Sequence, residues 1–210
     1  MGLNIVPVGD DSIFAKIDER GCFCNEKVPS FKLYDNSWNF DRLILKDPKS
    51  GERDMLIAKQ ALSYNAYACV DSDTNYPVAF FTLAASTSKV PGKFHVQGKD
   101  LNWEHYPSIQ IDYLFVDKEL QHNGIGSYVI DWVKLEARKR CCNFESYRYL
   151  ILNAIKTEQA IRFYKKKGFL FSDEADEEEI EQSLEDGLFL DDKDKVVGMF
   201  FDLMTLTLQE

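Results

Sequence analysis

From Ile109 to Ser127 the chain reads IQIDYLFVDKELQHNGIGS: an apolar run, a short polar turn and a glycine-bearing opening to a helix. Within that opening Gln121, Gly124 and Gly126 stand in a Gln-x-x-Gly-x-Gly spacing. The first turn of a helix leaves backbone N–H groups without intrahelical partners, and the helix dipole adds partial positive charge at the same end. Glycines there let the backbone approach an anion with no Cβ in the way. Such a loop suits a phosphate or diphosphate. A tight strand-to-helix turn asks for the same residues and is the commoner outcome for a lone G-x-G, so both readings stay open. The residue three beyond Gly126 is Val129, so there is no G-x-G-x-x-G, and no G-x-x-x-x-G-K-[ST] occurs in the chain. Rossmann and nucleotide-triphosphatase loops are therefore weak readings.

Other side chains with reactive chemistry are scattered. Cys22, Cys24, Cys69, Cys141 and Cys142 form no C-x-x-C pair, and their odd number gives no closed disulfide set. His95, His105 and His122 supply no ligand cluster, so reduced structural thiols and no metal are expected. On the strand before the glycine loop, Gln110 and Asp112 share one face by the period of two. A carboxylate there can take a proton if burial raises its pKa, whereas an amide cannot.

The elements that carry these residues follow from periodicity. Residues 1 to 60 read poorly, with turn-like breaks at Pro29, Asp35-Asn36 and Asp47 to Gly51, while Met55 to Tyr64 has helical spacing. Ala66–Val70 and Pro77–Ala85 are β-branched and aromatic runs around a polar turn, an antiparallel hairpin. Lys89 to Pro107 is polar and reads as a loop, and Ile109–Val116 is a third, buried strand. A helix is expected over Gly126–Arg140, with Tyr128, Trp132, Leu135 and Lys139 on neighbouring turns and basic residues at its end. Tyr147–Asn153 is a fourth strand. Glu158–Lys167 is a helix closed by Gly168. A strand begins at Phe169–Phe171, and Val196–Leu208 completes an α/β sheet of mixed direction.

The chain has 210 residues, 45% of them hydrophobic, with fifteen Phe, ten Tyr and three Trp. That content supports a large core and one domain over 1–210. The formal net charge is −10, but Asp173 to Asp186 holds nine carboxylates and no base, and the rest of the chain is near neutral. A general nucleic-acid binder needs a basic face, and this balance argues against one. The N-terminus lacks a basic region followed by an apolar core, and no run approaches the ~20 apolar residues of a membrane span. A cytoplasmic protein with no membrane partner is expected.

Taken together, two segments resemble the GNAT superfamily of acetyl-coenzyme A-dependent N-acetyltransferases. Gln121-x-x-Gly124-x-Gly126 matches its Q/R-x-x-G-x-G/A signature after a strand. Ala160 to Phe169, reading AIRFYKKKGF, is similar to its A-x-x-[FL]-Y-x-x-x-G-F segment. The resemblance spans roughly residues 66 to 208. Tyr106-Pro107-Ser108-Ile109 and Val197 to Phe201 look more loosely like the toxin-type branch, whose members acetylate the amino acid on charged transfer RNA. The resemblance implies a mostly antiparallel mixed sheet flanked by helices and splayed at the motif strand. Residues 1–65 would be a helical acceptor-side region, 89–107 a loop insertion and 172–195 an acidic loop.

The same resemblance implies acetyl-CoA as cosubstrate and direct attack by an amine on its thioester. Backbone groups of Leu114, Phe115 and Val116 would pair with the pantetheine arm. The loop of Gln121, His122, Asn123, Gly124, Ile125, Gly126 and Ser127 would hold the diphosphate. Tyr164 would be the general acid for the departing thiolate, with a core position on an amphipathic helix as the alternative. Gln110 stands where some relatives place a catalytic glutamate, which leaves Asp112 or a water chain as the base. Many relatives carry Asn at the position of Thr157; Asn153 would substitute, and Thr157 would cap the helix. Lys134, Arg138, Lys139 and Arg140 are candidates for the 3′-phosphate.

The expected acceptor is a small-molecule or peptide amine. The acidic segment is either a solvated loop or a lure for cationic amines. Those carboxylates disfavour nucleic acid, charged transfer RNA being the exception that the basic Lys165-Lys166-Lys167 cluster keeps open. A module that binds acyl-CoA without turnover is the rival from another class. A homodimer is left open.

Overall fold

The computed structural model describes residues 2–9, 11–15, 17, 23, 49–52, 56, 64–89, 94–96, 99–101, 105–143 and 146–206. The turns expected near Pro29 and Asp35-Asn36, most of the Met55–Tyr64 helix, and Cys22 and Cys24 lie outside them. The described strands are β1 (Leu3–Pro7), β2 (Asn65–Asp71), β3 (Pro77–Ser88), β4 (Phe94–Val96), β5 (Lys99–Leu101), β6 (Tyr106–Val116), β7 (Tyr149–Lys156), β8 (Leu170–Phe171) and β9 (Asp192–Asp202). The helices are α1 (Ile125–Asn143), α2 (Glu158–Lys166) and α3 (Glu174–Glu185). Seven strands form one mostly antiparallel sheet in the order β1-β2-β3-β6-β7-β9-β8, and β4-β5 is a separate hairpin. The chain divides into two compact units, Met1–Ala84 with Ile111–Trp132 and Ala85–Gln110 with Val133–Glu210.

In the first unit β1, β2 and β3 form an antiparallel meander, with Ile5 opposite Cys69 and Ala68 opposite Phe80. Asp71 shapes the β2–β3 turn: its Oδ1 accepts the Asp73 N–H at 3.1 Å and its Oδ2 the Thr74 hydroxyl at 3.0 Å. The expected hairpin is therefore present, with β3 running on to Ser88. One sheet face carries an aromatic core. Phe14 stacks on Phe80 at 5.1 Å, and Phe23 meets Phe80 and Phe115 edge-on at 5.3 and 5.9 Å. On the other, Tyr67 stacks on Phe81 at 5.1 Å, and Trp132 of α1 covers both. Offset and edge-on rings add to the area they bury. β1 was not foreseen, because its Leu-Asn-Ile-Val-Pro is short and proline-ended.

α1 turns an aliphatic face inward. Ile125, Val129, Ile130, Val133 and Ala137 are buried, whereas Tyr128 and Leu135 are exposed. Tyr128 instead donates its hydroxyl to the Leu3 carbonyl at 2.8 Å.

In the second unit β9 pairs with β7 on one side and β8 on the other, with Leu152 opposite Met199 and Phe171 opposite Met199. Tyr149 sits at the centre of a small core, edge-on to Tyr106 and Phe200 at 5.5 Å each. The residues expected as a loop over 89–107 include the β4–β5 hairpin. The final strand is earlier than expected: it ends at Asp202, whose carboxylate accepts the Met204 N–H at 2.8 Å and opens a short 3-10 turn.

The acidic stretch is not a loop but helix α3. Asp173 is its N-cap, accepting the Ala175 and Asp176 N–H groups at 2.9 and 3.2 Å. Glu174, Asp176 and Glu177 lie in its first turn, where negative charge complements the dipole. Ile180 is buried beneath it, and Glu179 and Glu181 pair with Lys156 and Lys165.

Candidate active site

β6 carries the first group of candidate residues. Its side chains alternate: Ile109, Ile111, Tyr113 and Phe115 are buried, while Gln110, Asp112, Leu114 and Val116 take the other face. Gln110 and Asp112 therefore share a face as expected. Gln110 accepts the Ser86 hydroxyl at 3.0 Å, and Asp112 is exposed. Because the Phe115 ring belongs to the core, only its backbone is available to a ligand. The Tyr113 N–H donates to the buried Thr82 hydroxyl at 3.2 Å.

Asp117 turns the chain from strand to helix. It is fully buried, and its carboxylate accepts the Tyr76 hydroxyl at 3.1 Å and the Glu119 N–H at 3.0 Å. Its own N–H donates to Val78 at 2.9 Å, and its carbonyl accepts the Leu120 N–H at 2.8 Å. The hydroxyl that satisfies Asp117 lies 41 positions away in the sequence. Next, the Gln121 amide donates to the Val116 carbonyl at 3.4 Å, which ties the turn to the strand end.

The backbone then enters left-handed conformations at His122 (φ 64°) and Gly124 (φ 80°). Nothing lies within 4 Å of a Cβ built at Gly124, so backbone conformation rather than crowding calls for glycine there. The first helical bond of α1 runs from the Tyr128 N–H to the Gly124 carbonyl at 3.0 Å. Ile125, Gly126 and Ser127 thus precede the repeating pattern, and helix geometry gives their N–H groups no carbonyl within the helix. His122, Asn123 and Gly124 are exposed, and the first turn holds no acidic side chain. Gly126 is helical rather than left-handed, so its contribution is the missing side chain. This arrangement fits a diphosphate: several donors on one side, a positive dipole end and no acidic side chain in the first helical turn.

The second group lies on β7 and α2. Asn153 is exposed on β7, opposite Gly198 of β9. Thr157 is the N-cap of α2, its hydroxyl accepting the Ala160 N–H at 3.3 Å, as its sequence position suggested. At the other end α2 closes in a Schellman motif. The Gly168 N–H bonds to Lys165 at 2.8 Å, the Phe169 N–H to Tyr164 at 3.0 Å, and Gly168 sits at φ 76°. Tyr164 is therefore the residue whose carbonyl the closure captures. Its half-buried ring packs between Phe163 at 5.0 Å and Phe169 at 5.6 Å.

The structure brings Asp112, Leu114 to Val116 and Gln121 to Ser127 together on one strand–turn–helix of the first unit. It brings Asn153, Thr157 and Tyr164 together on one strand–helix of the second. The basic residues of α1 are differently employed from the expectation. Lys134 is buried and donates to the Lys167 carbonyl. Arg138 donates to Leu206 at 3.3 Å, and Arg140 pairs with Glu136 at 3.3 Å. Only Lys139 of the four is exposed. Among the thiols, burial pushes Cys69 up to about 11, which keeps it protonated, and Cys141 donates to the Tyr147 carbonyl at 3.0 Å. Among the described residues no helix is long and apolar enough to cross a membrane.

A strand that feeds a glycine-bearing helix start within a mostly antiparallel sheet is an arrangement compatible with an acyl-coenzyme A transferase. Residues 79–170 match the family model of the acetyltransferase (GNAT) domain. That match covers both motif segments on which the sequence resembles the GNAT superfamily of acetyl-CoA-dependent N-acetyltransferases. No curated protein matches the sequence. Among solved structures, AtaT complexed with acetyl-methionyl-tRNAfMet is similar at 16% identity and a TM-score of 0.61, over 97% of this chain and 96% of that one. A mutant of KacT aligns at 16% identity and a TM-score of 0.56, over 98% and 97%. A mutant AtaT toxin bound to the C-terminus of the antitoxin AtaR and acetyl-CoA aligns at 15% and 0.53, over 97% and 94%. At these identities the likeness is one of fold.

Proposed function

We propose that this enzyme moves the acetyl group of acetyl-CoA to a primary amine by direct attack, with Tyr164 as general acid. The observation that carries the reading is the start of α1, where Ile125, Gly126 and Ser127 present N–H groups with no acidic side chain in the turn. Those groups hold the diphosphate, and the backbone from Gln121 to Gly124, exposed from His122 onward, completes the loop. Backbone of Leu114, Phe115 and Val116 guides the pantetheine arm, and an N–H there stabilises the oxyanion, an effect worth about 3 kcal/mol in other systems. Asn153 takes the place of the Asn that relatives carry at the position of Thr157.

The amine nitrogen forms its bond to the thioester carbon, the C–S bond breaks, and the sulfur leaves with the electron pair. Tyr164 supplies the proton that the sulfur takes up; a phenol of ordinary pKa about 10 lies close enough to a thiol near 8.5 for that transfer. The ammonium proton of the attacking amine leaves through Asp112. Because Asp112 is exposed in the chain alone, burial by the bound acceptor has to raise its pKa, or water carries the proton instead.

A second reading places the accepting amine on charged transfer RNA. The AtaT complex with acetyl-methionyl-tRNAfMet favours it. The carboxylates of α3 oppose it, since they neutralise Lys156 and Lys165 and would repel a polyanion. Thiol release from acetyl-CoA, measured over small amines, lysine peptides and charged transfer RNA, separates the readings. Turnover with free amines or peptides supports the first, and turnover with charged transfer RNA alone supports the second. Tight binding of acetyl-CoA with no turnover on any acceptor would overturn both in favour of a non-catalytic module.

A further inference from the structure

We propose that Lys134 is a positioning residue for Tyr164, an inference that rests on the reading of Tyr164 as general acid. Lys134 lies on the part of α1 that belongs to the same compact unit as α2, and it is only 7% exposed. A lysine withdrawn from water is costly unless its charge and its N–H groups are met. Here they are met at the end of α2. Nζ donates to the carbonyl of Lys167, the residue that closes the helix, where the dipole places negative charge. It also lies 3.7 Å from the centre of the Phe201 ring and 5.1 Å from that of Phe169. A cation over an aromatic face is attracted by the ring quadrupole, most strongly when desolvated.

The same residues set Tyr164. Phe169 donates its N–H to the Tyr164 carbonyl at 3.0 Å, and its ring packs on the Tyr164 ring at 5.6 Å. Phe201 in turn packs on Phe169 at 5.7 Å and stands 3.4 Å from where a Gly168 Cβ would be. One ammonium therefore grips both the carbonyl and the rings of the closure that holds the phenol. Displacing that closure displaces the proton donor while leaving the first unit, with its coenzyme loop, unchanged. Proton transfer is sensitive to such displacement, because donor and acceptor must meet within hydrogen-bond reach.

Lys134→Met keeps the apolar stem and removes the ammonium. Its kcat is expected to fall roughly 10- to 100-fold with the KM for acetyl-CoA unchanged, and Lys134→Arg is expected to restore part of the loss. The deciding measurement is the double variant: in a Tyr164→Phe background, Lys134→Met should lower kcat no further. If Lys134→Met does not fold, Phe201→Leu, which takes away the ring beneath the ammonium, is put through the same cycle with the same expectation. A Tyr164→Phe variant that is impaired, but loses the same additional factor on Lys134→Met, would overturn the role of Lys134 alone. A Tyr164→Phe variant as active as the wild type would overturn the general-acid reading and this inference together.

Discussion

Gly124 is the position where a single backbone conformation matters most. At φ 80° any L side chain there pays about 1 kcal/mol or more, although the space around it is open. Gly124→Ala should therefore weaken acetyl-CoA binding roughly 5-fold or more by shifting the loop, with little effect on kcat at saturation; calorimetric titration reads this directly. The glycine-bearing turn and the helix that carries Tyr164 were legible because their signals are local in the sequence. Asp117 and Lys134 were not, since each is satisfied by a partner distant in sequence: the Tyr76 hydroxyl in one case, the Lys167 carbonyl and two rings in the other. Burial reversed the reading of Lys134, which on a helical wheel ending in bases looks like a solvent-facing cation.

At the scale of elements, α3 shows how charge can mask a helix. Nine carboxylates within fourteen positions from Asp173 to Asp186 suggest a solvated loop, but the Asp173 cap, an acidic first turn and the buried Ile180 outweigh the self-repulsion. Asp173→Ala should cost about 1 kcal/mol, read as a melting temperature lower by a few degrees. Acid should act on the same helix. Lys156, by hydrogen bond and charge, holds the Glu179 carboxyl below the usual carboxylate range. A depressed pKa contributes stability that is present above the ordinary carboxylate pKa and is lost as pH falls through the lowered one. β2, β3, β6, α1 and α2 were readable from periodicity and caps. β1 and the β4–β5 hairpin were too short to leave a period.

For the whole molecule, the order of strands and helices follows from the chain, whereas the faces they bury follow from packing. Tyr149 is an example: its strand was expected, but not its place beneath Tyr106 and Phe200, where burial pushes its phenol up to about 12. Burial raises the Cys69 thiol in the same direction, to about 11. A raised pKa contributes stability that is complete below the unfolded value and is lost as pH climbs through the folded one. Denaturant midpoints should therefore hold through neutral pH and decline from about pH 9 upward, as both groups are forced to ionise. A flat profile from pH 8 to 11 would contradict the burial of both.

The central claim, that backbone amides at the start of α1 hold the coenzyme diphosphate, is tested most directly by amide resonances of the labelled protein titrated with acetyl-CoA. The account predicts that Gly124, Ile125, Gly126 and Ser127 show the largest shifts, and that free diphosphate at higher concentration moves the same four. Saturable binding of acetyl-CoA that leaves those amides where they were would contradict it.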